Sequence, residues 1–307
     1  MTGKHIIILL SAYLLTVTSV PWLIKLARKT NLLDDPSGDA LKIHRKPIPV
    51  LGGMAIFIAV IISLGVGSVI WKLDGFSVLM IAAALTMVFV IGLIDDSVNL
   101  RPGIRVIVQL IAGVMLFWGN DAFANISSHW WLSALVSLPY IMLAINAMNL
   151  IDGIDGLATG VAMVASVGFL VGFVSVGHVL GTLLSLSLIG ATAGFLFFNF
   201  NPARIFLGDN GSTILGLLLG LMASLYTTAP SLSSHFVFPI LLLLVPLFET
   251  LSTILRRLKN HKPIFSGDRD HFYDYLINMG FSPKQTTLLF YGISIGGVCA
   301  GVGLIKM

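Results

Sequence analysis

The sequence predicts an all-α, polytopic membrane protein of about ten transmembrane helices with both termini outside, and three observations carry that reading. Of the 307 residues, 56% are hydrophobic and 10% charged, whereas a soluble domain lies nearer ~45–50% apolar and ~25% charged. The apolar residues fall into ten runs near the ~20 residues a spanning helix needs, which uses about 200 positions and leaves about 107 for loops. No sizeable soluble domain fits in that remainder, so residues 1–307 read as a single integral membrane domain. The third observation is the uneven distribution of basic residues between the two sides. The net charge of +4 is itself too small to suggest a nucleic-acid partner.

The first run, about 5–24, lacks a small-residue cleavage site and ends in Lys25, Arg28 and Lys29, so it reads as a retained helix with its basic flank inside. Runs follow at about 50–70, 76–94, 104–118, 131–148, 156–176, 178–198, 211–228, 235–255 and 286–305, divided by charge, Gly and Pro. If they alternate, 15 of the 18 basic residues lie inside, and only Lys4, Lys72 and Lys306 lie outside. The positive-inside rule then favours an even number of spans. The inner segments are about 25–49, 95–103, 149–155, 199–210 and 256–285. The single cysteine, Cys299, lies in the last run and excludes an internal disulfide or a cysteine metal site.

Thirteen of the fourteen acids are Asp, with Glu249 the exception, and Asp95, Asp96, Asp152, Asp155 and Asp209 all fall at inner helix ends. The chemistry is therefore expected in a groove on the cytoplasmic face. Asp95 and Asp96 end a helix, where the macrodipole opposes negative charge. They need a compensating cation, either Mg²⁺ or the side chains of Arg101 or Arg105.

The segment N-A-M-N-L-I-D-G-I-D-G-L-A, 146–158, places two Asn and two Asp between apolar runs. One reading is a tight turn with Asp155 capping the next helix; the other is a polar cluster around a wet functional cavity. In F-N-F-N-P-A-R-I-F-L-G-D-N-G-S-T, 198–213, Asp209, Asn210 and Ser212 can cap a helix near Gly211, while Gly208 and Gly211 allow backbone amides to approach a phosphate. In the last inner loop His271 stands beside Arg269, Asp270 and Tyr273. Arg269 and His271 can donate to a sugar or a diphosphate; alternatively His271 caps or packs a short helix over 272–279.

Together, D-D at 95–96, N-x-x-N-x-x-D-G-I-D-G-L-A at 146–158, F-L-G-D-N-G-S at 206–212 and H-R-K-P-I-P-V-L-G-G at 44–53 resemble the ordered motifs of the polyprenyl-phosphate N-acetylhexosamine-1-phosphate transferases. Similar members move a sugar 1-phosphate from a UDP-sugar to a polyprenyl phosphate in the membrane and release UMP, the initiating step of a cell-envelope glycan. The resemblance implies a multi-pass protein of the inner (plasma) membrane that uses Mg²⁺, with Mn²⁺ able to substitute, and it allows a homodimer. It makes Asp209 the principal metal ligand and Asp152 a second acidic contributor at the metal. Asp95 and Asp96 line the catalytic end, either as the base for the lipid phosphate or as the nucleophile of a covalent intermediate. Direct attack by the lipid phosphate is the favoured route, because a phosphate anion needs little activation. Asn149, Asp155, Asn199 and Phe206 match positions around the nucleotide, with Phe206 stacking on uracil, and Arg45 and Lys46 approach phosphates. The last loop departs from the pattern: much of the family has a histidine cluster there, and this chain keeps His271. That argues against the branch making the peptidoglycan lipid intermediate and leaves the sugar open. The alternative from another class is an ion-coupled secondary transporter using intramembrane Asp.

Overall fold

The computed structural model describes residues 3–36, 46–98, 100–120, 130–227, 236–261 and 271–305. Nine of the helices in these residues are long and apolar enough to cross a membrane. They are α1 (Gly3–Thr30), α2 (Gly52–Trp71), α3 (Gly75–Val98), α4 (Pro102–Gly119), α5 (Trp130–Leu150), α6 (Leu157–Ser175), α7 (Val179–Asn199), α8 (Asp209–Thr227) and α12 (Pro283–Ile305). Two short antiparallel strands, β1 (Leu33–Asp34) and β2 (Ile48–Pro49), pair Leu33 with Pro49 and Asp34 with Ile48. The protein is thus all-α and multi-pass, as the apolar runs predict.

The ninth run, about 235–255, differs from expectation. It forms two helices, α9 (Val237–Leu242) and α10 (Leu244–Lys259), joined at Leu243 with φ −98° and ψ 18°. Pro246 has no N–H, so the carbonyl of Leu242 loses its helical donor at the junction. The α10 half is two-faced: Glu249, Thr250, Thr253 and Arg257 are buried, while Phe248, Leu251, Leu255 and Leu258 are exposed. A short helix, α11 (Phe272–Asn278), precedes α12 and matches the helix over 272–279 of the alternative reading of His271.

The axis of the bundle is α8, in which every residue from Asn210 to Tyr226 is buried. A helix apolar all round belongs in a core, and here glycines let its neighbours approach closely. A Cβ at Gly216 would lie 2.4 Å from Cα of Ile145, and one at Gly220 3.0 Å from Cα of Ile141, so α5 packs backbone to backbone on α8. The outer helices carry the apolar surface instead, through residues such as Ile7, Leu14 and Trp22 on α1 and Ile107 and Trp118 on α4. The most enclosed helix therefore begins at Asp209, and that beginning is where the polar residues collect.

Candidate active site

Three chain segments converge on the start of α8. Asp95 and Asp96 lie in the last turn of α3. Asp95 is buried: its Oδ1 accepts from the Leu100 amide at 2.6 Å, and its Oδ2 accepts from the Arg105 guanidinium. Arg105, near the start of α4, also reaches Oδ2 of Asp209 at 3.3 Å. Asp96 turns the other way. Its Oδ1 accepts from the Asp209 amide at 2.8 Å, and its Oδ2 accepts from the Asn210 amide at 3.2 Å and from the Asn210 side chain. The compensation expected for the acid pair is therefore divided between Arg105 for Asp95 and the N-terminus of α8 for Asp96.

This arrangement corrects the expectation that the first amides of α8 are available to a phosphate. The amides of Asp209 and Asn210 already donate to Asp96, and those of Gly211 and Ser212 donate to the Gly208 carbonyl. The anion at this helix start is a side chain of the protein. Gly208 makes the approach possible, with φ at +76° and a position where a Cβ would lie 2.9 Å from Oδ2 of Asp96. The stretch before α2 docks alongside: Phe206 N donates to Pro49 O at 2.8 Å, Gly52 N to Phe206 O at 3.0 Å and Gly53 N to Leu207 O at 2.9 Å. The motif ending at Gly53 and the motif around Asp209 thus form one structural unit.

The third segment is the turn between α5 and α6. Gly156 takes φ +75° just before α6, which no carboxylate caps. Asp155 instead fastens the turn to the following loop, its Oδ2 accepting from Asn201 Nδ2 and Ala203 N, each at 2.9 Å. From α12, Thr287 Oγ1 donates to the Asp155 carbonyl at 3.2 Å and Tyr291 OH to the Gly156 carbonyl at 2.6 Å. Asn149 donates to Asp209 Oδ1 at 2.6 Å and to Ser212 Oγ at 3.0 Å, which fixes the Asp209 carboxylate from behind. Asp152 has no such support: among the described residues its carboxylate meets no hydrogen-bond donor. Burial, and then the charges of Asp209, Asp96 and Asp155, push its carboxyl well above the usual carboxylate range.

These groups border a cavity of about 960 Å³. Asp95, Asp96, Asp152, Asp155 and Asp209 line it together with Lys46, Asn199 and Phe206. Asn199 has both ends of its amide engaged, accepting from Thr159 Oγ1 at 2.9 Å and donating to Ile205 O at 3.0 Å. Arg45 and Arg269 lie outside the described residues. His271 is not among the residues lining this cavity. It lies in a smaller one of about 420 Å³ with Arg256, Asn260 and Asp274, and its Nδ1 faces Glu249 Oε1 at 3.1 Å. The backbone amide of His271 donates to Asp274 Oδ2 at 3.3 Å, so the residue heads α11 in the manner of the capping alternative.

Sequence reasoning named Arg105 only as a possible counter-ion, and nothing local to it reveals that it bridges Asp95 and Asp209. Arg28 and Arg204 also line the cavity and carried no signal beyond their inner position. Tyr273 escaped notice as a contact, although a Cβ at Gly153 would lie 2.0 Å from its hydroxyl.

Fold and cavity together define a multi-pass membrane protein whose polar machinery lies at helix ends around one acidic recess. Comparison with known proteins places it more closely: residues 77–227 match the model of glycosyl transferase family 4. A protein of Bacillus subtilis (strain 168) described as a probable undecaprenyl-phosphate N-acetylglucosaminyl 1-phosphate transferase is 33% identical over 296 residues, covering 94% of this chain and 81% of that protein. The decaprenyl-phosphate N-acetylglucosaminephosphotransferase of Mycolicibacterium smegmatis is 30% identical, covering 92% of this chain and 77% of its own. The undecaprenyl-phosphate alpha-N-acetylglucosaminyl 1-phosphate transferase of Escherichia coli (strain K12) is 28% identical, covering 92% and 78%. The chain belongs to glycosyl transferase family 4.

Proposed function

We infer that the protein transfers N-acetylglucosamine 1-phosphate from UDP-N-acetylglucosamine to a polyprenyl phosphate and releases UMP, at the cytoplasmic face of the plasma membrane. The relatives named above act on polyprenyl phosphate and N-acetylglucosamine by their descriptions, and they align with nearly the whole chain. The observation that carries the reading is the meeting of all the acidic motifs around one cavity at helix ends, where a lipid headgroup and a water-soluble nucleotide can both arrive. A transporter would place its carboxylates at a mid-span break, and neither these helix ends nor the relatives support that reading.

In the reaction an oxygen of the lipid phosphate forms a bond to the β-phosphorus of the nucleotide sugar. The bond from that phosphorus to the bridging oxygen breaks, and UMP leaves with the electron pair. The sugar keeps its bond to the transferred phosphate. Both oxygens of Asp95 and both of Asp96 already accept hydrogen bonds, which supports direct attack over a covalent aspartyl intermediate. Lys46, Arg28 and Arg204 line the cavity as the cations that would receive phosphate charge.

Among the described residues no group of three or more His, Cys, Asp or Glu is arranged to hold a metal ion. Mg²⁺ is ordinarily held by one or two carboxylates with waters and substrate phosphates, and Asp152, together with the Asp209 oxygen that Arg105 reaches only at 3.3 Å and would have to release, could hold it in that mode. The unsupported Asp152 carboxylate, faced by other acids, is a group that gains from a cation. When bound, Mg²⁺ would neutralise phosphate charge in the transition state. The test is UMP release by the purified protein in detergent, supplied with UDP-N-acetylglucosamine and undecaprenyl phosphate. Release that needs the lipid and stops on chelation supports the reading, and absence of release under those conditions removes it.

A further inference from the structure

Glu249 is the only glutamate in the chain and is fully buried on the inward face of α10, just past the break in the ninth run. A buried carboxylate in such a position is costly unless hydrogen bonds or a charged partner offset its desolvation. Its Oε1 accepts from the Phe272 amide at 2.9 Å and faces His271 Nδ1 at 3.1 Å, so one oxygen holds the first turn of α11 by backbone and side chain together. Thr253, one turn further along α10, stands 3.5 Å from the same His271 nitrogen. The His271 ring in turn lies flat against Tyr273, with centroids 5.1 Å apart and planes 11° from parallel. Tyr273 is buried, and its hydroxyl presses on Gly153, where there is no room even for a Cβ. Gly153 is the neighbour of Asp152, the one acid of the cavity with no donor of its own among the described residues.

We propose that Glu249 is a positioning residue for the reaction, acting through His271 and Tyr273 to brace the turn at 152–156 and so fix where the Asp152 carboxylate points. The proposal rests on the transferase reading and assigns His271 to this brace instead of to contact with substrate. The turn is held from α12 by Thr287 on the Asp155 carbonyl and Tyr291 on the Gly156 carbonyl. The Glu249 brace supplies the hold at its other end, nearest Asp152. Without it, Asp152 is released towards solvent and away from the acids that repel it, and the site loses its geometry before it loses its fold.

The second oxygen of Glu249 has no partner among the described residues, which gives the test a conservative variant. In Glu249→Gln the amide oxygen can still accept from Phe272 and His271, whereas Glu249→Ala cannot. Tyr273→Leu breaks the brace further along while leaving the Glu249 contacts in place. The full chain in nanodiscs is assayed for UMP release as separate kcat and KM, and by hydrogen–deuterium exchange. Glu249→Ala and Tyr273→Leu are expected to lower kcat about tenfold or more, since small misplacements of a reacting group cost that much. KM for the UDP-sugar should stay within about twofold, because the interaction lost acts in the chemical step. Exchange should rise in the peptide covering 150–157, and Glu249→Gln should restore both readouts. Parental kcat and parental exchange in Glu249→Ala would overturn the proposal. So would a general rise in exchange across α9 to α12 that Gln fails to correct, which would mark Glu249 as a packing residue only. If the parent releases no UMP, the transferase reading fails, yet the local rise at 150–157 and its rescue by Gln still decide whether the brace exists.

Discussion

Asp96 Oδ1 accepts the backbone amide of Asp209 at 2.8 Å, so the last turn of α3 supplies the anion that caps the central helix of the bundle. The acid pair at 95–96 is therefore divided in role: Asp95 is held by Arg105, and Asp96 supports the helix that carries Asp209.

A capping role predicts a stability signature. Asp96→Ala removes the acceptor for two backbone amides and one side chain, and the loss of a cap typically costs ~1–2 kcal/mol. Thermal unfolding of the purified variant in detergent should show a lowered midpoint along with reduced turnover. An unchanged midpoint with turnover abolished would instead identify Asp96 as the proton acceptor.

Asp152 gives the opposite sign. Its folded-state pKa is raised, so ionisation works against the fold, and the penalty grows as pH rises above the ordinary carboxylate value of ~4. In chelator, Asp152→Asn should therefore be at least as stable as the parent at pH 8, and its advantage should shrink towards pH 5. Added Mg²⁺ should stabilise the parent more than the variant, and turnover should be lost in the variant. A variant less stable than the parent at pH 8 would contradict the electrostatic account of this group.

Arg105 competes for one of the two carboxylates that would hold a cation, lying 3.3 Å from Asp209 Oδ2, and it also bonds Asp95. Arg105 is partly exposed but Asp95 is buried, so removing the guanidinium leaves a buried carboxylate held only by the Leu100 amide and lowers stability. Arg105→Ala should unfold at a lower temperature and need less Mg²⁺ for half-maximal rate, at a reduced maximal rate because Asp95 is unpinned. A raised Mg²⁺ requirement would mean that Arg105 assists metal binding.

Direct attack predicts that the protein incubated with labelled UDP-sugar, without lipid, accumulates no covalent label. Isolation of a phosphoryl or sugar-phosphoryl adduct on Asp95 or Asp96 would establish the two-step route.

The parts of this picture that were legible in the sequence are those set by neighbours along the chain. Apolar length marked the spans, and the D-G pairs at 152–153 and 155–156 marked a turn between two of them. The break at Leu243 was not legible, because a proline in an apolar run is equally compatible with an unbroken tilted helix. The cap of α8 was missed for another reason: Asp96 and Asp209 lie 113 residues apart, and only the packing of α3 on α8, permitted by Gly92, joins them. His271 was read from its titratable ring and polar neighbours, but its buried partner is Glu249 on the preceding helix, whose isolation in the sequence was the one available hint.

The central claim is that the acids around Asp209 are where a nucleotide sugar reacts with a lipid phosphate. Asp209→Asn retains side-chain shape and the Asn149 contact site while removing the charge a divalent ion would need. UMP release by this purified variant, at saturating Mg²⁺ with UDP-N-acetylglucosamine and undecaprenyl phosphate, is the most direct measurement. The account predicts no turnover above background from a protein that unfolds at the parental temperature or higher, and turnover near the parental rate would contradict it.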